Sequence, residues 1–243
     1  RDPSKRRVIV VGDSVAFGYQ VEVEKIFPTL LADHLSRTKP TEVFNFGLGG
    51  SDTNSNLYHF RRAITEFSPQ LVVYQFGLND LTPPPAAPAP SGVKALLRKS
   101  ALYLFAAERY NYLRLRKSAA AAQSSPWAAA AEAANGELAV HAAELNKAFA
   151  EAHERGIKVL FVFFPYDYQI LSRDPSVLRP SQQLSKLIDA KTARYLDLTP
   201  ALQAAPSPAA LLLDDAHLSA EGHRVVTDLL TAPIDQLLEE KGP

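Results

Sequence analysis

Five short β-prone apolar runs constrain this chain most: Val8 to Val11, Val43 to Phe46, Leu71 to Phe76, Val159 to Phe164 and Tyr195 to Leu198. Between them lie segments with helical spacing, expected as helices near 24–37, 55–67, 137–155, 181–191 and 219–240. Strands that are apolar along their whole length are buried on both faces, as in a parallel sheet covered by helices on each side. The alternation therefore predicts an α/β chain, a three-layer α/β/α sandwich around a central parallel sheet of five strands. Ser219 ahead of Glu221 and Gly222 fits a helix start, and Gly156 after Arg155 fits a helix stop. At 243 residues, the chain can bury roughly 70–75% of its unfolded surface in one core, so a single domain over residues 1–243 is expected.

Residues 82–135 interrupt the alternation. A Pro/Ala run from Pro83 to Pro90 leads into Val93 to Lys117 and then an Ala-rich stretch around Trp127 to Asn135. A connection of this length usually carries elements of its own or a function, and a helix or helical hairpin beside the active edge of the sheet is expected. Lys94 to Lys117 holds seven bases (Lys94, Arg98, Lys99, Arg109, Arg114, Arg116, Lys117) against one acid, Glu108, interleaved with leucines and aromatics. That pattern suits a side helix or lid with a solvated basic face. It equally suits peripheral contact with an anionic membrane or acidic polymer through 94–117.

In open parallel sheets the ligand crevice lies at the carboxyl ends of the strands, so residues just after the apolar runs are the candidates for chemistry. Ser14 follows Val8-Ile9-Val10-Val11-Gly12-Asp13 directly. A serine hydroxyl is a weak nucleophile until an imidazole takes its proton, and the imidazole needs an acceptor to fix its tautomer. Asp214 and His217, three residues apart in Asp214-Asp215-Ala216-His217, can supply both from one turn. Asn45 to Thr53, with Gly47, Gly49 and Gly50, follows the second run, and Gly77-Leu78-Asn79-Asp80 follows the third.

These four segments, in this order and spanning residues 8 to 223, resemble the four sequence blocks of the SGNH hydrolases, also called the GDSL esterase and lipase family. The resemblance implies a flavodoxin-like SGNH fold and a serine esterase that needs no cofactor. In this reading Ser14, Asp214 and His217 are catalytic. Backbone N–H groups of Ser14 and Gly50, with the Asn79 amide, form the oxyanion hole. Gly49 is the second choice for Gly50. The family spacing selects Asp214 over Asp215, although in some relatives a backbone carbonyl replaces the acid. Asp13 is expected to be a structural hydrogen-bonding residue. The implied reaction is hydrolysis of carboxylic esters, of a lipid or an acylated carbohydrate, through an acyl-serine. The alternatives are an O-acyltransferase acting on a cell-envelope glycan and a non-catalytic glycan- or lipid-binding module on the same fold.

Other classes find less support. Lys plus Arg equals Asp plus Glu at 26 each, which argues against a nucleic-acid binder. There is no Gly-Lys-Ser/Thr and no glycine triplet at the dinucleotide spacing after the first run. Cysteine is absent, which removes disulfides and thiolate metal sites. His34, His59, His141 and His153 fall in expected helices without metal-ligand spacing, so no catalytic metal is expected. His223 falls in the last helix, at most behind the site. The chain lacks methionine, and Arg1 to Arg7 reads as what remains after removal of a signal peptide or membrane anchor. An extracytoplasmic location is therefore expected.

Overall fold

The computed structural model describes residues 4–80 and 138–240. The 82–135 insertion, including the basic stretch 94–117, lies outside the described residues. Strands β1 (Arg6–Gly12), β2 (Thr41–Gly47), β3 (Leu71–Phe76), β4 (Lys158–Phe163) and β5 (Arg194–Asp197) form one sheet in the order β2-β1-β3-β4-β5. Every pair is parallel. The expected five-stranded parallel sheet is thus the observed one.

Successive side chains on a strand point to opposite faces, and the apolar runs divide accordingly into two cores. Val8, Val10, Val73, Leu160 and Val162 pack with α2 (Phe27–Ser36) and α8 (Ala220–Glu239). Ile9, Val11, Tyr74, Phe76, Phe161 and Phe163 pack with α3 (Thr53–Glu66), α4 (Leu138–His153) and α6 (Arg179–Leu187). The second core is notably aromatic. Phe149 of α4 meets Phe60, Tyr74 and Phe161 at ring-centroid distances of 5.6, 5.7 and 5.5 Å, within the range of favourable edge and tilted contacts.

The helix signals perform as expected: the Ser219 side chain accepts from Gly222 N at the start of α8, and Gly156 is left-handed, with φ of 69°. Differences lie at boundaries and in short pieces. β2 begins at Thr41, because polar Thr41 pairs with Arg6 at the edge of the sheet. Three helices of four or five residues, α1 (Ser14–Phe17), α5 (Asp167–Leu171) and α7 (Thr199–Gln203), are additional. They are too short to show a 3.6-residue period.

From β1 the chain crosses to β2 on one side and then returns to β3 on the other. Neighbouring connections therefore diverge between β1 and β3, and the carboxyl ends of these strands are where sheets of this kind bind their ligands. Gly12 pairs with Gly47 in the last register position of β1 and β2, so the segments after both strands leave the sheet at one level.

Candidate active site

The end of β1 is built so that Ser14 starts a helix. Asp13 Oδ1 accepts from Val15 N at 2.7 Å, which caps α1. The Asp13 N–H donates to Gln75 Oε1 on β3 at 2.8 Å. Gln75 gets this close only because residue 12 is glycine: a Cβ there would lie 2.2 Å from Gln75 Oε1. The first N–H groups of a helix have no carbonyl four residues back to bond, so the N–H of Ser14 points out of the helix start.

His217 arrives from the opposite end of the chain, on the loop between β5 and α8. Ser14 Oγ stands 2.7 Å from His217 Nε2. On the other side of the ring, Nδ1 lies 2.7 Å from Asp214 Oδ2 and 2.9 Å from Oδ1. Asp214 Oδ1 also accepts from the backbone N–H groups of Ala216 and His217, at 3.0 and 2.8 Å. The aspartate thus shapes the turn that presents the imidazole, a common device for Asp in turns. Burial opposes charge on the His217 ring, but bonding to Asp214 and the fields of Asp214, Asp13 and Asp215 outweigh it and raise its pKa above the ordinary 6.5. For Asp214, burial opposes ionisation, while His217 and the two N–H donors overcome it and hold the carboxyl below its usual range. Both directions describe one pair favouring the charged partners. Asp215 is turned to another task, its carbonyl accepting from Asp167 N at 2.8 Å.

The segments after β2 and β3 complete the edge. Leu48 to Ser51 form a turn closed by Ser51 N donating to Leu48 O at 3.2 Å. Gly50 within it has φ of 76°, a backbone state that favours glycine. Gly49 shows no such requirement. Asn79, on the 3₁₀ turn Leu78–Asp80, donates from Nδ2 to Asp13 Oδ2 at 2.7 Å. A carboxylate can only accept, so Asp13 fixes which way the amide faces and leaves its second N–H for another acceptor. Asp13 is thus the structural hydrogen-bonding residue expected of it, and its partner is Asn79.

Behind these groups lies a buried polar chain with no counterpart in the sequence reading. Ser51 Oγ donates to Asn56 Oδ1, Asn56 Nδ2 donates to Asp80 Oδ1, and Gly77 N donates to Asp80 Oδ2, each at 2.8 Å. It ties the turn carrying Gly50 to the turn carrying Asn79. Burial, with Asp13 nearby, pushes the Asp80 carboxyl well above its usual range. The Tyr166 hydroxyl bonds the Asn79 backbone from the other side. Asp167 was also missed; burial first, then the charges of Asp215 and Asp214, push its carboxyl up to about 6. His223 is buried on α8, where its Nδ1 accepts from Phe27 N at 3.2 Å, and burial lowers its pKa to about 4. Among the described residues no three His, Asp or Glu side chains converge as a metal site, and no helix is long and apolar enough to cross a membrane.

Residues 10–225 match the GDSL-like lipase/acylhydrolase family. The chain belongs to that family. An arylesterase from Vibrio mimicus is 32% identical over 78 residues, which cover 32% of this chain and only 39% of that protein. Solved structures agree in fold across nearly the whole chain. A lipolytic protein of the G-D-S-L family from Desulfitobacterium hafniense aligns with a TM-score of 0.58 at 16% identity, over 94% of this chain and 99% of the other. The lipase/acylhydrolase of Enterococcus faecalis gives 0.56 at 19% identity, over 97% and 98%. An acetylxylan esterase from Geobacillus stearothermophilus gives 0.58 at 14%, over 98% and 96%. In this member of the GDSL family, the residues read from sequence as Ser14, Asp214, His217, Gly50 and Asn79 therefore sit at one edge of the family's sheet, with Ser14, His217 and Asp214 in direct hydrogen-bond contact.

Proposed function

We propose that the chain is a serine esterase that cleaves carboxylic esters through an acyl-serine intermediate. The observation that carries this reading is the unbroken relay from Ser14 Oγ to His217 Nε2 and from His217 Nδ1 to Asp214, with both contacts at 2.7 Å. His217 takes the Ser14 proton as Oγ attacks the ester carbonyl. The oxyanion is met by the N–H groups of Ser14 and Gly50 and by the free N–H of the Asn79 amide. The imidazolium then protonates the departing alcohol. Water, deprotonated by the same imidazole, attacks the acyl-serine, and the acid leaves as Ser14 regains its proton.

Phe17 and Leu48 are 55% and 49% exposed, and they lie in the segments that carry Ser14 and Gly50. Exposed apolar side chains at this edge support an ester with an apolar portion, in keeping with the arylesterase relative. The test is labelling of Ser14 by a fluorophosphonate, together with hydrolysis rates for p-nitrophenyl esters from acetate to palmitate. Labelling absent at Ser14, or a folded Ser14→Ala protein that hydrolyses these esters at near the wild-type rate, overturns the reading. A reaction that accelerates and yields an acylated sugar when a glycan is supplied would assign the acyl group to a sugar hydroxyl instead of water.

Activity should depend on pH in a defined direction. The base must be neutral, and its pKa is raised, so kcat/KM should climb with pH through a midpoint above the ordinary histidine value of 6.5 and then level off. Asp167, near 6, titrates in an adjoining window, and Asp167→Asn separates the two by leaving the main midpoint in place. Asp214→Ala should lower that midpoint and reduce kcat more than Asp215→Ala does. A pH–rate series on the four proteins checks both statements.

A further inference from the structure

We infer that Tyr19 is a positioning residue for His217, restraining the imidazole against the out-of-plane tilt that its in-plane contact with Asp214 leaves open and favouring its charged form during turnover. This inference rests on the serine-esterase reading for its kinetic consequence, but its physical content concerns His217 alone. The Tyr19 and His217 ring centroids are 4.6 Å apart, with planes inclined by 39°. The Nδ1–H bond donated to Asp214 holds the imidazole by its in-plane edge and does little to stop it tipping out of plane. A ring on its face does. An aromatic face within about 6 Å also attracts a cation, and His217 becomes a cation in each half of the reaction, between taking a proton from Ser14 or water and passing it on.

The backbone is arranged to put Tyr19 there. Both neighbours are left-handed, Gly18 with φ of 84° and Gln20 with φ of 60°. For Gln20, which carries a Cβ, this is an uncommon state. Substitution at Gly18 would be doubly opposed, since a Cβ there would meet Ile26 Cγ2 at 2.2 Å. The N–H groups of Gly18 and Tyr19 both donate to Ser14 O, at 3.1 and 3.0 Å. The chain thus folds back at the end of α1, returning the residue five places after Ser14 to the histidine that Ser14 touches. Tyr19 remains 39% exposed, so the core does not require this ring, and changing it should leave the fold intact.

Among the described residues, the charged and titratable groups that act on His217 besides Tyr19 are Asp214 and Asp215 on its own loop, Asp13 at the start of α1 and His223 on α8. Asp167 on α5 faces the two loop aspartates. All remain in a Tyr19 variant, so a change in His217 titration reports the ring. The experiment compares wild type, Tyr19→Phe and Tyr19→Leu by NMR titration of the His217 ring protons, assigned by their loss in His217→Ala. Kinetics with p-nitrophenyl acetate run in parallel. Tyr19→Leu should lower the His217 midpoint by about half a pH unit and abolish the ring-current displacement of its signals. It should reduce kcat several-fold with KM little changed. Tyr19→Phe, which keeps the aromatic face, should match wild type in all three. A wild-type midpoint in Tyr19→Leu, or a loss confined to KM, overturns the inference. If wild type neither hydrolyses esters nor reacts with a fluorophosphonate at Ser14, the esterase reading fails, and the NMR titration still decides the role of Tyr19.

Discussion

Ser14→Ala is expected to lower kcat for ester hydrolysis by roughly 10⁴ to 10⁶-fold, with His217→Ala close behind and the double variant no worse than either single one. The non-additivity follows from the geometry. Ser14 Oγ and His217 Nε2 share one proton path at 2.7 Å, so removing either end removes the path, and a second deletion has nothing left to take. What survives is the contribution of the oxyanion donors and of binding. Neither substitution opens a sizeable cavity at Ser14, and α1 keeps its cap, because the capping oxygen belongs to Asp13. Far-UV circular dichroism and thermal midpoints near those of wild type should accompany the loss of Ser14. Losses that add across the two sites would show that the residues act separately.

Asn79→Ala should cost about 10²–10³ in kcat with little change in KM, the usual consequence of removing a donor aimed at charge that develops only in the transition state. The contact with Asp13 makes a second-order expectation possible. In Asp13→Asn the neighbour can donate as well as accept, so the Asn79 amide is free to turn its oxygen towards the reacting carbonyl, where it repels the oxyanion. Asp13→Asn should therefore lose a large part of what Asn79→Ala loses, yet cost almost nothing further in the Asn79→Ala background. A kinetic double-mutant cycle on p-nitrophenyl acetate measures this coupling. A full additional loss from Asp13→Asn in that background would mean that Asp13 acts by some route other than the amide. Asp13→Ala also removes a helix cap, worth about 0.5–2 kcal/mol, so the isosteric asparagine is the cleaner probe.

The sheet and the residues on its carboxyl edge were legible because both leave local marks. A run such as Val8 to Val11 needs burial on both faces, and Asp214 stands at the right distance from His217 for one turn to join them. What lay hidden were contacts between segments far apart in sequence. Nothing near Asp13 announces Asn79, and nothing near Tyr19 announces His217. The polar chain through Ser51, Asn56 and Asp80 was equally silent, since Ser51 and Asp80 stand in segments that read as turns and Asn56 in one that reads as a helix. One signal was available and went unused: Gln75 sits in the otherwise apolar Leu71 to Phe76, and a polar side chain in a doubly covered strand requires a buried partner. That partner is the Asp13 N–H beside Ser14. Short helices escaped for a simpler reason, since four residues make barely one turn.

The serine and its histidine are separated by 203 positions in the chain, and that separation governs when the molecule can act. Contacts between residues so distant carry the full cost of loop closure and tend to form late. During synthesis from the amino end, β1, β2 and β3 can emerge with Ser14, Gly50 and Asn79 in place while no base yet exists. On the serine-esterase reading, reactivity is therefore expected to be withheld from every incomplete chain, and during refolding the return of hydrolysis should follow closure of the last segment onto the first.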